Sequence, residues 1–197
     1  MIKHILFSLI LLTNCSVISY SEVIPLIKFA VLGADDVPIT QEYIDSKKYS
    51  FAKVRIGRSA IAIFSLISID SDDLYTWISG EGEILNTYKG KIVKLSNSLY
   101  EIEFLDYGQF DIKSSAGPYE LQYDLFLYNP MAFISQNAVI EIQSSTNNQV
   151  IYESIETIGF KWTFQNSYTV HEDGQVLHSR QTIHPKIPEI DIYFYYK

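Results

Sequence analysis

The stretch TVHEDGQVLH, residues 169–178, decides how this chain is to be read. Asp173-Gly174 lies between two β-prone runs, and both residue types tolerate positive φ, so the pair suits a two-residue type I′ turn. That turn would pair Glu172 with Gln175, His171 with Val176, and Val170 with Leu177. Counting back by twos then places Val170, Tyr168, Asn166, Phe164 and Trp162 on one face of the strand. The face is mostly apolar and should look inward. Asn166 is its polar member, and a buried amide must be hydrogen-bonded. It is expected to fix a strand or a turn, not to perform chemistry.

Working outward from this hairpin, the same texture runs back to Phe51. FAKVRI, AIAIFSLISI, LYTWIS, GKIVKL, LYEIEFL, YDLFLY, AVIEIQ, VIYESI and FKWTFQNSYTV are short, β-branched and aromatic. Gly57, Gly80 to Gly82, Lys89-Gly90, Gly108, Gly117-Pro118, Asn129-Pro130 and Asn147-Asn148 punctuate them. Short strands at roughly ten-residue spacing predict an all-β fold, an antiparallel and strongly curved barrel-like sheet or a sandwich. No long helical pattern interrupts them, which disfavours a parallel sheet with crossover helices. One or two short helices should precede the strands: one from Ser21 to Gly33, and one of about two turns capped by Thr40. The tail Ile190–Tyr196 is aromatic on both faces, so it should be buried between layers or lie against a partner. The chain holds 15 Tyr, 11 Phe and 2 Trp. Such residues fill a β core, and they also serve glycan- or protein-binding surfaces.

Few residues of the chain point to chemistry. His171 and His178 should share one hairpin face, with His184 about 20 Å further on. A zinc site needs three convergent ligands, so these read as strand histidines and no metal or cofactor is expected. The acid pairs Glu81/Glu83, Glu101/Glu103 and Glu153/Glu156 read as exposed charges, lacking the burial that tunes a glycosidase acid. The sequence contains no G-x-S-x-G, G-x-x-x-x-G-K or H-E-x-x-H motif. Catalysis is therefore not expected. With a net charge of −8, the chain is also a poor partner for nucleic acid, which requires a basic footprint.

The N-terminus carries a different message. Lys3 and His4 precede an apolar run, Ile5 to Leu12. That run is far short of the roughly 20 residues a membrane-spanning helix needs, and has the length of a signal-peptide core. Cys15, the single cysteine, follows at once. Leu12-Thr13-Asn14-Cys15 resembles the bacterial lipobox, with Asn14 departing from the usual small residue. Lipid attachment at Cys15 is the expected outcome. Ordinary signal-peptidase cleavage and an uncleaved apolar leader are the alternatives. Residues 1–14 then form a signal peptide, 15–34 a lipid anchor and tether, and 35–197 a single β-rich domain. One acyl chain gives only reversible membrane binding. The resemblance implies a diacylglyceryl group plus an N-acyl chain such as palmitate, hence lasting attachment. Ser16 after the cysteine implies sorting to the outer membrane.

The order of residues along the whole chain resembles the YjbF family of bacterial lipoproteins, which includes the group 4 capsule GfcB and YmcC-like proteins. The resemblance rests on Asp36-Val37, Thr40 to Ile44, Tyr49-Ser50-Phe51-Ala52, Tyr75-Thr76-Trp77-Ile78-Ser79 and Gly90-Lys91-Ile92-Val93-Lys94. It is most distinctive at Asn166, Tyr168, Gly174, Val176, Ser179, Gln181, Ile183, Pro185 and Pro188. Lys91 stands where the family usually has arginine, a change expected to sit in a surface turn. The resemblance implies a curved antiparallel sheet and no catalytic activity. It also implies an accessory role in capsular or exopolysaccharide secretion, beside an outer-membrane β-barrel protein, a second periplasmic protein, and the glycan itself. A Gram-negative outer membrane, with the domain facing the periplasm, is the implied location. Trp77, Ser79, Asn166, Tyr168, Gly174, Ser179, Gln181 and Pro185 are implied as structural or partner-contact residues. The alternative is a half-open barrel carrying a lipid or another apolar ligand, which would need an enclosed cavity lined by residues such as Phe64, Leu66, Trp77 and Phe164.

Overall fold

The computed structural model describes residues 38–70, 73–112, 117–144 and 148–197. The signal peptide, Cys15, the tether and the helix expected from Ser21 lie outside the described residues. The other expected helix is present. Helix α1 (Gln41–Ser46) starts where Thr40 Oγ1 accepts the Tyr43 N–H at 3.2 Å.

Strands follow in simple order: β1 (Phe51–Ile56), β2 (Ala62–Asp70), β3 (Leu74–Ser79), β4 (Ile84–Tyr88), β5 (Lys91–Ser96), β6 (Glu101–Phe104), β7 (Tyr119–Tyr128), β8 (Met131–Ser144), β9 (Asn148–Thr157), β10 (Thr163–His171), β11 (Val176–Gln181) and β12 (Ile190–Tyr195). Each pairs antiparallel with the next, and β12 returns to β1 with Ala52 opposite Phe194 and Val54 opposite Ile192. The result is a closed barrel, which removes the exposed sheet edges that invite aggregation.

The two-residue alternation decides what fills it. Val54, Phe64, Trp77, Leu85, Leu95, Ile102, Phe104, Tyr123, Leu125, Ile140, Ile151 and Ile192 are buried inside. Residues of opposite parity, such as Lys53, Lys94, Glu103, Glu141 and Arg180, lie outside. Apolar-in and polar-out is the reverse of a membrane-spanning barrel. Two connections also enter the lumen. Phe110 and Ile112, between β6 and β7, are buried at one end; Ile183 and Ile187, between β11 and β12, are buried at the other. Side chains therefore fill much of the interior, Trp77 among them, while Phe64 also borders an open cleft at one end.

Three expectations change on inspection. The 169–178 hairpin does not use a type I′ turn: Val170 pairs with Val176 and Thr169 with His178. Gly174 N–H donates to His171 O at 2.9 Å, and only Gly174 of the turn takes positive φ (+88°). This is a type I turn closed by a glycine bulge. Asp173 Oδ1 accepts the Gln175 N–H at 2.9 Å, and the aspartate itself does not take positive φ. Val176 therefore points inward in place of Leu177, and Glu172 belongs to the turn. Second, β4 forms a strand of its own between Gly82 and Lys89. Third, the aromatic tail is the strand that closes the barrel. Its inner residues Ile190, Ile192 and Phe194 are buried. On its outer face Tyr195 stacks on Phe51 at 4.7 Å, and Tyr43 of α1 packs edge-on against that ring.

Candidate functional site

The turn between β4 and β5 is the two-residue type, with Lys89 at φ +48° and Gly90 at φ +78°. It delivers Lys91 into the lumen. Just beyond, the β4–β5 register shifts between Asn86 and Thr87, leaving Val93 as an extra residue in β5. The Ile92 N–H is then turned toward β11, where Gln181 Oε1 accepts it at 2.9 Å. Gln181 Nε2 donates to Gly90 O at 2.9 Å and to Ser179 Oγ at 3.0 Å. One amide side chain thus joins two strands that are not neighbours in the sheet.

Lys91 reaches further. Its Nζ lies 2.6 Å from Glu153 Oε1 on β9, and both side chains are essentially inaccessible to solvent. The ammonium also sits 4.2 Å from the Tyr123 ring centre, 4.9 Å from Phe104 and 5.6 Å from Phe110, a cation–π cage. Glu153 Oε2 accepts Asn166 Nδ2 at 2.9 Å and the Tyr168 hydroxyl at 2.7 Å. Asn166 Oδ1 in turn accepts the Thr182 N–H at 2.7 Å, tying the exit of β11 to β10. Among the described residues, Gln136 Oε1 is buried without a hydrogen-bond partner, and the buried Tyr123 hydroxyl faces the Glu153 carboxylate.

Burial alone would neutralise such a pair. It pushes the Glu153 carboxyl up, but the charge and hydrogen bond of Lys91, with the hydrogen bonds of Tyr168 and Asn166, outweigh it and hold the group below its ordinary value. Burial drives Lys91 down, against the opposing pull of Glu153. Burial and the Glu153 charge both raise Tyr168 and Tyr123, so the phenols stay protonated. Both carboxylate oxygens of Glu153 are occupied. The group thus spans the lumen as a strut.

Among the described residues, clefts open at the barrel ends. A cleft of about 590 Å³ is bordered by Ile56, Ala62, Phe64, Ser79, Tyr100 and Pro188. Ser79 Oγ accepts the backbone N–H groups of Glu81 and Glu83 at 3.2 and 3.1 Å, shaping the adjacent turn. The histidines go to separate places. His171 meets Asp173 at 3.2 Å, His178 pairs with Asp191, and His184 packs edge-on against Trp162 at 5.0 Å.

The family model described as "Group 4 capsule polysaccharide lipoprotein gfcB, YjbF" matches residues 26–194. The chain belongs to the YjbF family. Its barrel is similar to the crystal structure of the hypothetical lipoprotein YmcC from Escherichia coli (K12). The two share 15% identity over 91% of this chain and 96% of that one, with a TM-score of 0.68, a likeness of fold. No curated protein matches the chain.

The residues that carried the YjbF resemblance fall in several places. Asn166, Tyr168, Ser179 and Gln181 come together around Lys91 and Glu153. Trp77 is buried on the lumen wall, donating from Nε1 to Thr87 Oγ1 at 2.9 Å, with Phe194 against its ring at 5.4 Å. Ser79 lies at the cleft and Gly174 in the β10–β11 turn. Pro185 is exposed in the β11–β12 connection. Lys91 is not in a surface turn, because the turn ends one residue before it and the side chain points inward. Glu153, read from sequence as an exposed acid, is fully buried. Its position on the inward parity of β9, between Ile151 and Ile155, was the available signal.

Proposed function

We propose that this YjbF-family protein is a lipid-anchored accessory component of capsular or exopolysaccharide secretion, acting by binding and not by catalysis. Acyl chains on Cys15 hold it at the outer membrane, with the barrel facing the periplasm. The export machinery, an outer-membrane β-barrel protein and a second periplasmic protein, supplies its partners. The observation that carries this reading is the match to a capsule-polysaccharide lipoprotein family over residues 26–194. The Glu153 carboxylate, with both oxygens engaged by Lys91, Asn166 and Tyr168, supports the non-catalytic part of the reading.

The test is genetic. Deletion should abolish surface polysaccharide, and the wild-type gene should restore it. Cys15→Ser should move the protein out of the membrane fraction and restore secretion poorly. An unmodified thiol on the mature protein, read by mass spectrometry, would refute the anchor. Release of reducing ends from the host polysaccharide by purified protein would refute the non-catalytic role.

A further inference from the structure

On a chain of net charge −8, the outer face of β1, β12 and β11 gathers cations in register. Lys53 stands opposite Tyr193, and Tyr193 opposite His178. Two residues along, Arg55 stands opposite Asp191, and Asp191 opposite Arg180. Lys53 Nζ lies 5.2 Å from the Tyr193 ring centre, and the His178 ring stacks on Tyr193 at 4.2 Å. Asp191 is hydrogen-bonded to His178, and Arg180 Nε is 3.3 Å from Glu189 Oε1. Strand β10 extends both rows with hydroxyls, Thr169 opposite His178 and Ser167 opposite Arg180.

We infer that this face binds an anionic polysaccharide, with Lys53 and Arg180 meeting its acid groups and Tyr193 its sugar rings. The inference rests on the secretion reading above and names the class of glycan. The chemistry suits such a polymer on three counts. Lys53 and Arg55 are about 7 Å apart along β1, and Arg55 and Arg180 about 10 Å apart across the intervening β12, which offers spaced sites to a linear polyanion. Asp191, Glu189 and the β10 hydroxyls are acceptors and donors for sugar hydroxyls. An anionic lipid surface shares the charge attraction, but would be met by apolar side chains entering the headgroup layer. Here two carboxylates and a row of hydroxyls stand instead. The Arg180–Glu189 pair, with both side chains about half exposed, is of the weak surface kind, so Arg180 can exchange Glu189 for a ligand acid at little cost.

The test uses the full-length protein in phosphatidylcholine nanodiscs. The probes are alginate, a uronic acid polymer, and neutral dextran of similar length. Alginate should bind, dextran should not, and rising salt should weaken binding. Lys53→Glu with Arg180→Glu should weaken alginate roughly tenfold. Lys94→Glu with Lys161→Glu, an equal change in net charge elsewhere, should not. The neutral pair Lys53→Gln with Arg180→Gln should give an intermediate loss, guarding against misfolding of the charge-reversed protein. Equal losses in the two charge-reversed proteins, equal binding of dextran, or no binding of alginate would overturn the inference. So would protection of Lys53 from amine labelling by phosphatidylglycerol in the discs but not by alginate. A strain that loses surface polysaccharide on deletion, while the protein ignores alginate, would sink this inference and leave the secretion reading standing.

Discussion

Lys91 and Glu153, on strands separated by three others around the wall, meet in the barrel lumen with Nζ and Oε1 2.6 Å apart. Removing one member of a buried ion pair leaves an uncompensated charge, which costs more than the intact pair gains. Glu153→Ala should therefore lower stability by about 3–5 kcal/mol in urea unfolding. The double variant Lys91→Met with Glu153→Gln should recover much of that loss. The Gln carbonyl can still accept from Asn166 and Tyr168, and the methionine suits the aromatic cage. Strictly additive losses would show that the two side chains are not coupled.

The pair also dictates a response to pH. A carboxyl held below its ordinary value of 4.5 binds its proton less tightly in the folded chain than in the unfolded one. Its stabilisation is complete above that value and is lost as pH falls through the lower folded pKa. In Lys91→Met the dominant lowering influence is gone, so burial lifts the carboxyl above 4.5 and the sign reverses. The penalty of Lys91→Met should then be larger at about pH 7 than at about pH 4. Urea melts at the two pH values check this; a penalty independent of pH would contradict it.

Gly90 is fixed by two separate constraints, a φ of +78° and a neighbour. A Cβ there would stand 2.6 Å from Val176 Cγ1 and 2.8 Å from its Cβ. Valine is stiff at χ1 and cannot swing away. Gly82 has φ +83° but open space around it. Gly82→Ala should cost about 1 kcal/mol for the backbone alone, and Gly90→Ala about 1–3 kcal/mol more. Pairing Gly90→Ala with Val176→Ala should regain the steric part of its own cost. Equal melting temperatures for the two single glycine variants would exclude the close approach to Val176.

The barrel was legible because its walls alternate. LYTWIS and FAKVRI are strands with the bounds their patterning suggests, and the Thr40 cap starts the helix it advertises. Part of the lumen network was legible for the same reason. Asn166 and Tyr168 are two residues apart on an inward-facing parity, whereas Ser179 and Gln181 were signalled only by the family resemblance. Lys91 and Glu153 were hidden because a charged residue reads as solvated, and their pairing spans 62 positions. The 169–178 register turned on one backbone angle, that of Asp173, which a type I′ turn needs positive and which is not. Strand β4 was diluted by Asn86 and Thr87, although Thr87 faces inward as the acceptor for Trp77.

The bulge in β5 makes the last prediction, because it hands a backbone donor to a side chain. Ile92 N–H and Gly90 O find their partner in Gln181, which is buried. A buried backbone group left without a partner costs about 1–3 kcal/mol. Gln181→Leu keeps much of the volume but strands both groups, and the Ser179 hydroxyl with them, so a loss of about 2–4 kcal/mol is expected. Hydrogen exchange at Ile92 gives the sharper readout. Its amide should exchange much faster in Gln181→Leu, beyond what the global loss of stability explains, while Leu95, paired in register with Leu85 and Ile102, should change only with global stability. Equal acceleration at Ile92 and Leu95 would mean that Gln181 holds the fold generally and not the bulge.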